Sequence, residues 1–278
     1  MGPGGAVGSV LLSHLPGMLL LMTSVLNPMD QILELAGDGR VPRVIGYRAA
    51  TWTYGLDGVA GPYPEFLIPH GARPRGPFDH QRRRMEDIEI VYLDGVAITS
   101  VRQTLADLCA VAHPDVVERA VESALRLKLV TELELRDFAY LFTFARHGGP
   151  ALRAVLDRRP IGAPPTGSDL ETICLQVYRY GGVRIPQRQY PVLDLEGEWV
   201  ATSDFGFPPK AFVVETDGFA THAATRVQQQ YDLNRQNRIL DTGHHLRRFT
   251  YLDVTTRPLY VCRATLRGLD EAPLLHRR

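Results

Sequence analysis

Lysine is scarce in this sequence, and a net charge is absent. The 278 residues include only Lys128 and Lys210 as lysines, and 31 basic residues balance 31 acidic ones. A protein that binds nucleic acid through bulk positive charge is therefore excluded, and any such binding requires a local patch. Arginine supplies nearly all the positive charge, which suits bidentate phosphate recognition but equally fits a GC-rich genome.

Cysteines and long apolar runs are also few. The three cysteines, Cys109, Cys174 and Cys262, are far apart and form no C-x-x-C pair, which argues against a zinc site built on thiolates. They are typical of reduced thiols, so we expect a cytoplasmic protein. The apolar run Gly17–Met22 is too short to span a bilayer, and no membrane partner is expected. Nucleotide-binding loops, a serine-hydrolase elbow and the H-E-x-x-H zinc motif are missing as well.

A proline- and glycine-rich segment divides the chain. Residues 159–167, RPIGAPPTG, break any helix and predict a linker. Before it, residues 1–40 form an extension without an assigned role, and residues 41–158 predict a mainly helical α+β region. After it, residues 168–270 predict an α/β region, followed by a short tail over 271–278.

Capping residues and turns organise the first region. Ser100 or Thr99 opens one helix, Asp115 opens the next, and the capping box Thr131-x-x-Glu134 opens a third that ends near His147. One strand is expected at Glu65–Ile68 and one hairpin around Asp94-Gly95.

The second region has the predicted order α-β-β-β-α-β-α. Ser168-x-x-Glu171 is the capping box of its first helix, which ends at Gly181-Gly182. The later predicted elements are strands at Gln187–Leu193, Glu198–Phe207 and Ala211–Asp217, a polar helix over 225–240, a strand at His245–Thr250 and one helix at Val254–Leu269. This order predicts a compact mixed sheet flanked by helices.

Carboxylates gather at one predicted sheet edge. Glu215 and Asp217 end an apolar strand and share a face because they are two residues apart. Asp204 closes the preceding strand, and a hairpin around Pro208-Pro209 would bring it beside them. Glu171, in the first helical turn, is within reach of the same edge.

Such a cluster requires compensation of charge. At an effective dielectric of about 20 and a separation of about 5 Å, each like-charge pair costs roughly 3 kcal/mol. Mg²⁺ or Mn²⁺ would supply this compensation, and His222 would move a proton to or from a bound water. These features favour phosphodiester hydrolysis.

Each residue also has a structural interpretation. Glu171 fits a capping residue, and Asp204 fits a turn. Glu215 and Asp217 fit the solvated end of a strand. His222 on its own fits an exposed or structural histidine.

A series of motifs resembles a widespread bacterial domain related to the very-short-patch-repair endonucleases of the PD-(D/E)XK superfamily. The motifs are Asp204-Phe205, Val214-Glu215-x-Asp217-Gly218, His222, Asp232-x-x-Arg235-x-Asn237 and Arg248-Phe249-Thr250. The resemblance covers residues 168–269 and implies a restriction-endonuclease-like fold. Asp204 is then the first metal ligand, with Glu215 and Asp217 beside it and Glu171 as a helper. Asp217 replaces the lysine that is usual in the superfamily.

The resemblance also implies roles outside the carboxylates. His222 would transfer protons, while Asp232 and Arg235 would lie on a helix whose polar face closes the site, supported by Asn237. Within this interpretation Arg235, Arg238 and Arg248 position phosphates.

The first region is similar to AbiEi-type antitoxins of abortive-infection systems. The similar segments are Val44–Ala50, Tyr54-Gly55-Leu56 and Ile98–Leu108. Gln103 stands where the relatives have arginine, and the winged helix expected before these segments has no match in residues 1–40.

Two functions follow as expectations. The first is a Mg²⁺-dependent DNA endonuclease acting in defence or repair. The alternative is a non-catalytic regulator that uses the nuclease fold to bind nucleic acid, a cognate toxin or a defence-system partner. A purely structural partner-binding protein is a third interpretation.

Overall fold

The computed structural model describes residues 43–61, 63–74, 78–82, 84–141, 148–218 and 226–275. Its strands form two mixed sheets, one in each half of the chain, and helices accompany both. The mixed α/β class predicted from the sequence is confirmed. The extension 1–40 lies outside the described residues.

The first half contains a five-stranded sheet with the order β3-β2-β1-β5-β4. Its strands are β1 (Val44–Ile45), β2 (Phe66–Pro69), β3 (Asp79–Arg82), β4 (Ile90–Leu93) and β5 (Val96–Thr99). Its helices are α1 (Tyr47–Thr53), α2 (Val101–Leu108), α3 (Pro114–Arg126), α4 (Glu132–Leu141) and α5 (Gly149–Leu156). The hairpin of β4 and β5 was predicted, whereas β1 is too short to leave a periodic pattern in the sequence.

The second half contains a four-stranded sheet with the order β6-β7-β8-β9. Its elements are α6 (Asp169–Tyr180), β6 (Gln187–Leu193), β7 (Trp199–Gly206), β8 (Phe212–Asp217), α7 (Arg226–Asp241), β9 (His245–Thr250), α8 (Tyr251–Thr256) and α9 (Pro258–Glu271). The prediction of a single last helix was wrong, because Pro258 lacks an N–H and starts a new helix after the non-helical Arg257.

The two faces of this second sheet pack against different helices. Phe212 and Val214 join a core with Tyr178 of α6, whereas Val213 joins a separate core with Ile239 of α7. Because side chains alternate along a strand, Glu215 and the later odd positions of β8 point to the α7 side. The sheet thus directs Glu215 and Asp217 toward α7.

The two halves are joined through buried ion pairs. Glu122 of α3 lies 2.6 Å from Arg188 of β6 and 3.3 Å from Arg159, and all three side chains are at most 4% exposed. Thr166, inside the predicted linker, is buried and donates its N–H to Glu122. The segment between the halves is therefore packed against α3.

The chain end also packs against the second sheet. In the predicted tail, the Pro273 carbonyl accepts a hydrogen bond of 2.8 Å from Ala211, and the Leu275 N–H donates to Pro209 at 2.7 Å. Among the helices of the described part of the chain, none combines the length and apolar character needed to cross a bilayer.

Candidate functional site

The pairing of β7 with β8 places Asp204 beside the end of β8. The strands are antiparallel, with Phe205 opposite Val214 and Gly206 opposite Val213. Next to these pairs, the Asp204 side chain bonds to β8. Its carboxylate accepts hydrogen bonds from the backbone N–H of Thr216 at 2.7 Å and from the Thr216 hydroxyl at 2.9 Å. The proximity expected from a hairpin is therefore present.

Glu171 reaches the same place from the first turn of α6. Its N–H donates to the Ser168 hydroxyl, which caps the helix as predicted. Its buried carboxylate accepts hydrogen bonds from the Gly167 N–H at 2.7 Å and from Gln189 Nε2 at 2.9 Å. Glu171 thus lies in the capped first turn of α6 and also belongs to the carboxylate cluster.

Burial leaves the charges of Glu171 and Asp204 poorly compensated. Burial raises the pKa of Glu171 to about 7, and the nearby charge of Asp204 adds to the rise. Burial also raises the pKa of Asp204. The hydrogen bonds from Thr216 oppose this rise, the charge of Glu215 adds to it, and the charge of Arg235 opposes it. Glu171, Asp204 and Glu215 therefore interact electrostatically as one cluster.

Glu215 and Asp217 have arginine partners instead. Glu215 is buried, with one carboxylate oxygen 2.7 Å from Arg235 Nη2 and the other 4.0 Å from Arg248 Nε. Arg248 also donates to both oxygens of Asp217, at 2.6 Å and 3.1 Å. Ser203 donates a 3.4 Å hydrogen bond to Glu215. This part of the cluster is held by guanidinium groups.

The geometry of these carboxylates bears on metal binding. Within the described ranges, no group of three or more histidine, cysteine, aspartate or glutamate side chains is arranged to hold a metal ion. The donor types nevertheless fit Mg²⁺ or Mn²⁺, which prefer carboxylate oxygens. Since Arg235 and Arg248 already contact Glu215 and Asp217, a cation would have to displace them.

The helix α7 carries the other predicted residues. Arg235 also donates to the Thr202 carbonyl at 2.6 Å, which ties the helix to β7. Arg238 and Asn237 are exposed, and Asp232 is half-buried. Of the three predicted phosphate-binding arginines, Arg235 and Arg248 lie at the carboxylates and Arg238 faces solvent.

Two other residues considered in the sequence lie apart from this arrangement. His222 falls outside the described residues. Lys210 donates to the carbonyl of Ala272, the C-cap residue of α9, at 2.7 Å.

Neutral donors were missed by sequence reasoning. Gln189, at a positive φ of 47°, holds Glu171, and Thr216 holds Asp204. Thr216 sits between Glu215 and Asp217, so alternation along β8 could have identified it on the opposite face. The position of Gln189 depends on pairing distant in sequence and left no local signal.

The cluster as a whole is a set of converging carboxylates with arginines on its α7 side. Comparison of the chain with protein-family models, curated proteins and solved structures finds no match in any of the three.

Proposed function

We propose that residues 168–270 form a restriction-endonuclease-like domain that hydrolyses phosphodiester bonds in DNA with Mg²⁺ or Mn²⁺ as cofactor. The observation that carries this proposal is the convergence of Glu171, Asp204 and Glu215 at the end of β7 and β8. The mixed four-stranded sheet, covered by α6 on one face and α7 on the other, supports the proposed fold.

The partly compensated charges of Glu171 and Asp204 argue for a cation. Folding buries Glu171 and Asp204 and raises the pKa of both carboxyl groups, which is unfavourable at neutral pH unless a positive charge binds. Asp204 and Glu215 would hold the cation, with Asp217 beside them. When bound, the cation would lower the pKa of a water and neutralise charge developing on phosphorus.

The surrounding residues have definable tasks in this proposal. Thr216 orients the Asp204 carboxylate through two hydrogen bonds, and Gln189 and Gly167 orient Glu171. Arg235 and Arg248 would contact the substrate's phosphates in this proposal. The proton-transfer role of His222 stays a prediction from the sequence.

A second candidate is supported by the arginine pairs. Arg235 and Arg248 already neutralise Glu215 and Asp217, and this balance involves no metal. We therefore keep the alternative that the domain binds nucleic acid, or a toxin or defence-system partner, without cutting. Such a regulator would bind DNA with a strong dependence on salt and show no cleavage.

The two candidates are separated by Asp204→Asn. We expect the parent protein to cleave duplex DNA in Mg²⁺ or Mn²⁺, and the variant to lose at least about a hundredfold in rate, equivalent to about 3 kcal/mol. Asp270→Asn, an exposed carboxylate on α9, is the matched control and should cleave like the parent. Cleavage that survives in Asp204→Asn would refute the nuclease assignment, and salt-dependent binding without any cleavage by the parent would favour the regulator.

A further inference from the structure

The helix α7 is rich in amide side chains. The chain contains ten glutamines and three asparagines, and four of these glutamines and two of these asparagines lie among the sixteen residues of α7. Gln229, Gln230, Asn234 and Asn237 are exposed. Among the other side chains that the structure describes, Gln187 is the one exposed amide. The exposed amides of the described residues are therefore concentrated on this helix.

The helix contacts the rest of the protein along one face. The half-buried or buried positions of that face are Asp232, Arg235, Gln236 and Ile239. They follow the spacing i, i+3, i+4, i+7, which defines a single helical face. Gln230, Asn234 and Asn237 recur with the spacing i, i+4, i+7 on the opposite face. Three amides thus form a row that points away from the protein.

The stability of the protein does not explain this row. Asparagine is intrinsically less favourable than alanine in the interior of a helix, because its side chain competes for backbone hydrogen bonds. Asn234 accepts a hydrogen bond of 3.0 Å from Gln230, and such an exposed pair stabilises a helix only slightly. Residues that cost helix stability and face solvent point to a ligand for this face.

The charges around the row are mainly positive. Together α7 and the neighbouring β9 contain five arginines and two aspartates, in a chain whose total charge is zero. Arg235 and Arg248 are paired with carboxylates of β8. Arg226, the first residue of α7, and Arg238, in its last turn, are exposed. The amide row therefore lies between two exposed guanidinium groups, an arrangement complementary to a polyanion.

Duplex DNA fits both the charge and the amides. A helix about 10–12 Å across can enter the major groove, which is about 12 Å wide. There an asparagine or glutamine can donate to N7 of adenine and accept from its N6 amino group at the same time. Gln230 and Asn237 are about 10 Å apart along the helix axis, which corresponds to about three base-pair steps. The exposed Leu233 beside the row suits contact with a thymine methyl group.

We propose that α7 is a recognition helix, which enters the major groove of duplex DNA and recognises adenine-containing sequences through Gln230, Asn234 and Asn237. The proposal rests on the proposed function, because it takes DNA as the ligand, and it names the groups that select the sequence. It requires neither a cation nor cleavage. Arg226 and Arg238 would bind phosphates beside the groove.

Sequence recognition is measured on the full chain without divalent cations, so that no DNA is cut. The probe is a short duplex with a randomised centre, from which bound molecules are selected and sequenced. We expect adenines to be enriched. The selected duplex and a scrambled duplex are then compared by fluorescence anisotropy, and the parent should bind the selected duplex at least about tenfold more tightly.

Alanine variants of the three amides identify the groups that recognise the bases. Gln230→Ala, Asn234→Ala and Asn237→Ala should each lose about 5- to 150-fold in affinity for the selected duplex and bind the scrambled duplex like the parent. Alanine favours the helix, so unfolding cannot account for the loss. Gln187→Ala, at the exposed amide of β6, is the matched control and should bind both duplexes like the parent.

Two further measurements separate bases from phosphates and define the groove. Arg238→Gln should weaken binding to both duplexes about equally and reduce the slope of log affinity against log salt by about one. Replacing the selected adenines by 7-deazaadenine removes the N7 acceptor of the major groove. This replacement should weaken the parent and have a smaller effect on the alanine variant of the amide that contacts that base.

The outcomes separate this inference from the proposed function. A parent that cleaves DNA but enriches no base overturns the recognition helix alone. Enriched bases that all three alanine variants still select also overturn it, because other residues then recognise the sequence. Tighter binding to an RNA duplex of the selected sequence overturns it in favour of RNA. A parent that neither binds nor cleaves DNA overturns both proposals.

Discussion

Replacing Glu171 by glutamine shows by how much the charge of this buried carboxylate lowers the free energy of unfolding at neutral pH. The glutamine oxygen keeps the shape of the acceptor for the Gly167 N–H, and the Ser168 cap on α6 uses the backbone. The substitution therefore removes a titrating charge with little change in packing. The raised pKa of Glu171 determines how the effect of the substitution on the free energy of unfolding should vary with pH.

The sign and size follow from linkage. The pKa of Glu171 rises from an ordinary 4.5 to about 7 on folding, so its contribution to stability is fully present below pH 4.5. That contribution is lost as pH rises through about 7, because the folded protein then holds a charged, buried carboxylate. At about 1.4 kcal/mol per tenfold change in proton affinity, the loss is about 3 kcal/mol.

The assay is denaturant unfolding of parent and Glu171→Gln from about pH 4.5 to about pH 8, without divalent cations. The free energy of unfolding of the variant, relative to the parent, should rise by about 3 kcal/mol across this range. Glu134→Gln is the matched control, since Glu134 is the equivalent capping residue of α4 and hydrogen bonds from Thr131 lower its pKa. The control difference should stay flat above pH 6. A flat difference for Glu171→Gln too would refute the claim that its charge is uncompensated.

Two further predictions concern stability. Glu122→Ala leaves Arg188 and Arg159 buried without their shared partner and should cost about 3–5 kcal/mol by denaturant unfolding; a loss below 1 kcal/mol would contradict the importance of this junction. In Gly206→Ala the new Cβ would lie 2.1 Å from the Tyr190 ring. We expect the free energy of unfolding to fall by at least about 1–3 kcal/mol, which a lower melting temperature would show. Gly218→Ala, where a Cβ has open space, should melt like the parent.

Local patterns were sufficient for most of the second half. The apolar run before Glu215 predicted β8, and the capping residues Ser168 and Glu171 predicted the start of α6, because burial and capping act within a few residues. The hairpin geometry of β7 and β8 then followed from their short connection. This brought Asp204 to the end of β8 without any knowledge of the rest of the fold.

The partners of the carboxylates could not be predicted from the sequence, because their positions depend on pairing between distant strands. Arg248 lies opposite Glu215 only because β9 pairs in parallel with β8 in one particular register, and a shift by one residue would turn its side chain to the other face. Gln189 reaches Glu171 for a similar reason. The sequence thus predicted which carboxylates come together. The positions of their partners depend on contacts between distant elements.

Three other buried glutamates of this protein have different partners from Glu171. Glu65, Glu118 and Glu122 are each at most 3% exposed, and each has an arginine within 2.7 Å. Glu171 is equally well buried but is hydrogen-bonded to a backbone N–H and to Gln189. The buried Asp107 also accepts a hydrogen bond from a glutamine, Gln103, at 3.1 Å, so a neutral donor alone does not mark a ligand site. Glu171 lies beside a second carboxylate, and burial together with the charge of Asp204 raises its pKa. A bound cation would offset both effects.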